Sequence, residues 1–202
     1  SEDSDPMDDQ VHGTHVAGII GAVGHNRIGV SGVCWEVSLM ALKAFNDRGE
    51  AMLSDVIEAI EYAIANGARV LNASWGQTDQ SRALAEAITA AHQAGLILVA
   101  SAGNANTDAL AYPAAYPEPI TVAALDAQDR RAIFSNFGWY VDLAAPGDLI
   151  FSTFHENRYD LLSGTSMAAP QVSGVAALVL ARHPEFTNLE VETILRNAVD
   201  EL

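Results

Sequence analysis

Residues 164–170, Gly-Thr-Ser-Met-Ala-Ala-Pro, set a serine between a glycine turn and an apolar, alanine-rich run that continues through Leu178. The run reads as a buried helix with Ser166 in its first turn. Unpaired backbone N–H groups and the helix dipole favour developing negative charge there. Alone, this stretch reads equally well as a nucleophile or as a serine cap on a core helix. Two further stretches change that balance: His12-Gly-Thr-His-Val-Ala-Gly18 and Ser101-Ala-Gly-Asn104. A serine nucleophile needs a base within hydrogen-bond reach and donors aimed at an oxyanion. Histidine and asparagine, each among small residues that let a substrate approach, are side chains of those types.

Composition narrows the classes. The 202 residues suffice for one domain with a sizeable core, and half are hydrophobic. A net charge of −16, from 26 acidic and 10 basic side chains, argues against nucleic acid or an anionic membrane as partner. Glu2, Asp3, Asp5, Asp8 and Asp9 form an acidic start that reads as a solvated loop. Cys34 is the single cysteine, so no internal disulfide exists, and its apolar setting reads as core. No signal peptide and no run long enough to span a bilayer is present.

The elements that must position these residues follow from pattern. Val11 to Val23 reads as a buried helix on which His12 and His15 share a face. A zinc pair there lacks the H-E-x-x-H glutamate and a third ligand. Residues 37–45 alternate as a buried strand, and 46–50 form a turn. Ser54 is read as the cap of an amphipathic helix that stops at Asn66-Gly67. A strand over 69–74, a helix over 80–94 ending at Gly95, and a strand over 96–100 follow. Further strands are predicted at 120–124 and 150–154. A last helix, about 188–200, is expected to turn Leu189, Ile194, Leu195 and Val199 inward. Alternating strand and helix, with a strand apolar on both faces, predicts an α/β fold: three layers, a mostly parallel sheet with helices on both faces. Ligands of such sheets bind beyond the carboxyl ends of the strands. Ser74-Trp75-Gly76 and Ser101-Ala102-Gly103-Asn104 both stand at such ends.

The three motifs, in this order, resemble those of the subtilisin-like serine proteases (subtilases), and the likeness covers nearly the whole chain. It implies a subtilisin-like fold and acyl transfer, with His12 as general base, Ser166 as nucleophile and Asn104 as oxyanion donor; His15 is then a packed residue. It implies that Ser74-Trp75-Gly76 and Ser101-Ala102-Gly103 wall the S1 pocket. The small Ala105 and Ala111, with Leu53 toward S4, then favour large apolar P1 residues. The Tyr112–Pro113 bond is a candidate cis peptide. Phe134-Ser-Asn-Phe-Gly and Asp142-Leu-Ala-Ala-Pro-Gly look like later family landmarks. Residues 24–30 resemble the calcium loop of many subtilases, with an apparent extra residue and an opposing Arg27; Asp5, Asp8 and Asp9 are a second set of oxygens. The chemistry needs no cofactor, a structural calcium is allowed, and metal ligands stay unassigned. The resemblance further implies a polypeptide substrate, an N-terminal prodomain, a monomer, and a secreted or cell-envelope location.

One family feature is missing. The triad acid of subtilases precedes the histidine in an Asp-Ser/Thr-Gly setting, and no such motif occurs here. Asp8 and Asp9 lie on the loop just ahead of His12, poorly placed for its ring nitrogen. Residues 1–202 are therefore expected to be a subtilase catalytic domain lacking the N-terminal segment with that Asp. Loss of this acid costs about 3 × 10⁴ in kcat in a subtilisin, so the fragment alone is expected to be nearly inactive. Competing classes are a peptide-binding pseudoprotease, an α/β-hydrolase esterase and a nucleotide binder. Ala168 breaks G-x-S-x-G and the histidine comes first, against the esterase; no phosphate-binding glycine motif follows a strand, against the nucleotide binder.

Overall fold

The computed structural model describes residues 5–200. Four strands, β1 (Val70–Ala73), β2 (Ile97–Ser101), β3 (Ile120–Leu125) and β4 (Leu143–Pro146), form a parallel sheet in the order β1-β2-β3-β4. The register pairs Ala73 with Ala100 and Ser101 with Val122, so β1 and β2 end side by side. β2 and β3 are buried along their whole length, as strands covered on both faces must be.

The two faces take different helices. Ile97 and Val99 point toward α4 (Thr165–Arg182) and α5 (Asn188–Asn197), meeting Ala168, Ala169, Val172, Ala176 and Leu195. Leu98 points the other way, into a cluster with Val56, Ile60 and Ala63 of α2 (Leu53–Ala65) and Leu84, Ile88 and Ala91 of α3 (Arg82–Gln93). The three layers are those the alternation predicts. α1 (His12–Gly21) packs on the far side of this core, where Val16 and Ile19 meet Met167 of α4. It is tied to a hairpin of β5 (Ile150–Phe154) and β6 (Arg158–Leu162): the hydroxyls of Ser152 and Thr153 donate to the His15 and Thr14 carbonyls, 2.8 and 2.7 Å.

Local chemistry sets the boundaries. Gly67 and Gly95 take positive φ just past α2 and α3. Ser81 caps α3 through Leu84 N–H, and Thr187 with Glu190 forms a capping box on α5. The Tyr112–Pro113 peptide is cis. Cys34 is buried.

Three expectations are corrected and one strand is added. Residues 37–45 form no ladder, Ala44 N–H turns back to the Leu42 carbonyl at 3.2 Å, and Leu39 and Met40 are exposed. Alternation makes a backbone strand-like, but a strand exists only where a neighbour completes its hydrogen bonds. Met52, not Ser54, stands at the N-cap of α2; the Ser54 hydroxyl bonds Asp55 instead. On α5, Val191 and Leu195 turn inward while Leu189 and Ile194 are exposed, because apolar residues occupy both sides of this helix; the helix ends at Asn197, and Val199 beyond it is exposed. Beyond the strand predicted over 150–154, β6 completes a hairpin, with Glu156 and Asn157 at positive φ between its arms.

α4 owes its close approach to small residues. A Cβ on Gly174 would lie 2.5 Å from Val33 Cβ, and Val33 is fixed by its N–H to the Ile19 carbonyl, 2.9 Å. In a helix with room, Gly→Ala gains about 0.5–1 kcal/mol. Gly174→Ala is therefore expected to reverse that sign, losing about 1–3 kcal/mol by overpacking. Chemical denaturation checks this: an unchanged or raised midpoint contradicts the packing described.

Candidate active site

The carboxyl ends of β1 and β2 meet the first turn of α4. Gly164 is the N-cap of α4, so Ser166 is the second helical residue and does not cap. Pro170 sits four residues on and has no N–H to give the Ser166 carbonyl. That carbonyl accepts from the Ser74 hydroxyl instead, at 2.9 Å. In return the Ser166 hydroxyl donates to the Ser74 carbonyl, at 3.1 Å. Asn72 Nδ2 donates to Ser74 Oγ, and Ser173 Oγ donates to Asn72 Oδ1, each at 2.9 Å, so β1 and α4 share one chain of polar contacts.

Asn104 reaches the same turn from the end of β2. Its Oδ1 accepts the Thr165 N–H at 2.8 Å and the Thr165 hydroxyl at 3.0 Å; Thr165 Oγ1 in turn accepts Gly103 N–H at 3.0 Å. The acceptor end of the amide is thus occupied and Nδ2 is its donor end, on an exposed residue beside half-buried Ser166. Asn136 braces this loop: Nδ2 donates to the Ala102 carbonyl, Oδ1 accepts Ala105 N–H, and its own N–H donates to the Gly103 carbonyl. Gly103, at φ 104°, brings its backbone so close that a Cβ would meet Asn136 Nδ2 at 2.4 Å. Thr165 and Asn136 lie within stretches that the sequence marks, but neither they nor Asn72 carries an assigned role there. Their signal is faint: polar residues within or beside apolar runs, whose partners only tertiary structure reveals.

His12 opens α1, one turn before Val16, which shares a cluster with Met167 next to Ser166. It makes no hydrogen bond among the described residues. Burial pushes its imidazole below the ordinary histidine range; the Asp8 charge opposes that, and His15 adds to it. Asp8 acts on His12 by charge alone, since its oxygens are held elsewhere. Oδ2 accepts the Thr14 N–H and hydroxyl, both at 2.7 Å, and Oδ1 accepts Gln10 N–H at 2.8 Å. Burial alone would raise the Asp8 carboxyl; these hydrogen bonds to Thr14 and Gln10 hold it below its usual range. His15 is fully buried, and its Nε2 meets the Asp160 carbonyl at 3.1 Å. Asp9 pairs with Lys43 at 2.6 Å.

Of the expected pocket residues, Ser74, Ser101 and Ala102 are buried, Trp75 and Gly103 are half-buried and Gly76 is exposed. Tyr112 crosses beside them, exchanging backbone hydrogen bonds with Gln77. In the 24–30 loop, Asn26 Oδ1 accepts Ile28 N–H at 2.9 Å, and no cluster of three His, Cys, Asp or Glu side chains able to hold a metal occurs among the described residues. Among the described residues no helix is long and apolar enough to cross a membrane.

Residues 1–202 match the model of the subtilase family, Peptidase_S8. The chain belongs to the subtilase family. It is 45% identical over 184 residues to a thermostable alkaline protease of Halalkalibacterium halodurans, covering 91% of this chain and 51% of that protein. It is 39% identical over 206 residues to subtilisin DY of Bacillus licheniformis, covering 100% of this chain and 75% of that one. A solved cold-adapted subtilisin-like serine proteinase superposes with a TM-score of 0.89 at 38% identity, over 96% of this chain and 70% of that structure. This subtilase chain spans about half the length of two of these relatives, the alkaline protease and the thermophilic serine proteinase of Bacillus sp. AK1, at 51% and 49%.

In this subtilase chain, NMR titration of His12 should give a midpoint below 6.5, the ordinary value. Asp8→Asn removes a charge that favours the imidazolium, so the midpoint should fall further. A midpoint at or above 6.5, or one raised by Asp8→Asn, contradicts the electrostatics described.

Proposed function

We propose that this chain carries the reacting groups of a serine endopeptidase that cleaves polypeptides through an acyl-enzyme. Ser166 Oγ attacks the peptide carbonyl while His12 takes its proton and later passes it to the leaving amine. For this the hydroxyl turns from the Ser74 carbonyl to the imidazole. The oxyanion is held by Asn104 Nδ2 and the Ser166 N–H, in a helical turn whose dipole already favours negative charge. The observation that supports this reading best is the Asn104 amide: its Oδ1 is bonded to the Thr165 N–H and hydroxyl, which leaves Nδ2 as its donor end at the turn that carries Ser166. A neutral, partly buried His12 is in the form a general base needs.

An acid must still fix the tautomer of His12, and Asp8 makes no hydrogen bond to it. We assign that role to an aspartate outside residues 1–202, on the family likeness. Large apolar P1 residues are the expected preference, because Ala105 and Ala111 bring neither bulk nor charge. A prodomain and action outside the cytoplasm belong to the same reading and rest on the family likeness alone.

The test uses the full-length protein with peptide anilides and a fluorophosphonate. Ser166 should be labelled, and Asn104→Leu should lower kcat by roughly 10²–10³, the cost established for an oxyanion donor in a subtilisin, with little change in KM. The isolated 202 residues should turn over at least about 10⁴ times more slowly than the full-length protein. Absent labelling, an unaffected kcat, or a fragment as fast as the whole would overturn the corresponding part.

A further inference from the structure

His155, at the tip of the β5–β6 hairpin, touches the residue before His12. Its Nε2 accepts Val11 N–H at 3.2 Å. A backbone amide can only donate, so this nitrogen carries a lone pair and the ring proton is on Nδ1. The same Nε2 lies 3.6 Å from Asp8 Oδ2, whose bonds to Thr14 close the start of α1. Residues 8–14 are thereby gripped at both ends, by a carboxylate from within and an imidazole from the hairpin.

Val11 needs that grip. It is the N-cap of α1, yet its side chain cannot cap, and its backbone sits at φ 69°, ψ −27°. A β-branched residue is a clear outlier at positive φ, and such a conformation persists only where the surroundings over-determine it. Val11 is also the last non-helical residue before His12, and its carbonyl accepts the His15 N–H at 3.1 Å, so its conformation decides whether the first turn of α1, which carries His12, stays closed. The remaining contacts of His155 are slight: its ring lies tilted against Phe154 at 6.2 Å, and it is partly exposed.

We infer that His155 is a positioning residue for His12: by holding the Val11 N–H it keeps the strained turn, and with it the first turn of α1 that carries the imidazole, in place. The inference rests on reading His12 as the base. The clamp acts across 144 residues of sequence and adds no group to the reacting atoms.

The test compares His155→Leu, which keeps bulk without an acceptor, with His155→Gln, whose Oε1 can replace Nε2. In the full-length protein, His155→Leu should speed amide exchange of Val11, shift the His12 ring resonances, and lower kcat roughly 10- to 100-fold with KM nearly unchanged. His155→Gln should restore all three. Adding Val11→Gly to His155→Leu should recover kcat, since glycine takes positive φ unaided; this guards against a variant that simply unfolds. Unchanged exchange and kcat in His155→Leu, or no recovery with Gln, would overturn the inference. If the unmutated protein neither cleaves peptides nor labels at Ser166, the reading of His12 has failed. The exchange rates and ring resonances then still decide the clamp: equal values in the protein and in His155→Leu overturn it.

Discussion

The joint between the first turn of α4 and the ends of β1 and β2 is the constraint from which the rest follows. A helix laid on a sheet leaves its first N–H groups unpaired, and an internal proline frees a carbonyl as well. Both needs are met here by strand-end side chains, Asn104 for the Thr165 N–H and Ser74 for the Ser166 carbonyl. These contacts satisfy backbone groups at the helix start and, by doing so, hold Ser166 and Asn104 at one helix end. Capping the helix and holding the proposed site are the same set of hydrogen bonds.

Close packing makes the joint rigid. Ala168, Ala169 and Ala176 let α4 lie directly on the buried strands, and Gly174 lets Val33 lie against its outer side. Interiors packed at this density transmit small displacements instead of absorbing them. α1 is set against the same helix and against β5, so the histidine is held by tertiary contacts and not by a bond to its own neighbours. Its electrostatics follow from position: burial favours the neutral ring, and the acid nearest to it is committed to the helix start.

Much of this was legible in the sequence. Leu96 to Ala100 is apolar on both faces, which only a covered strand tolerates, and Gly67 and Gly95 stand where helices must stop. The same rule that places ligands at strand ends marked Ser74 and Asn104 before any coordinates. What escaped depends on neighbours. Residues 37–45 carry a strand's alternation whether or not a partner is present. β6 hides behind Arg158 and Asp160, which face water. On α5, Leu189 and Val191 look alike in a pattern, and only the sheet decides which is buried. Asn136 and Thr165 are ordinary polar residues until the loop they brace is folded.

The account stands on convergence at Ser166, and the structure of the full-length protein bound to a peptide boronate measures that directly. It predicts a covalent bond from boron to Ser166 Oγ, a boronate oxygen about 2.7–3.1 Å from both Asn104 Nδ2 and the Ser166 N–H, and the His12 ring within hydrogen-bond reach of the adduct. An adduct on another side chain, or a boronate oxygen turned away from Asn104 with His12 out of reach, would contradict it.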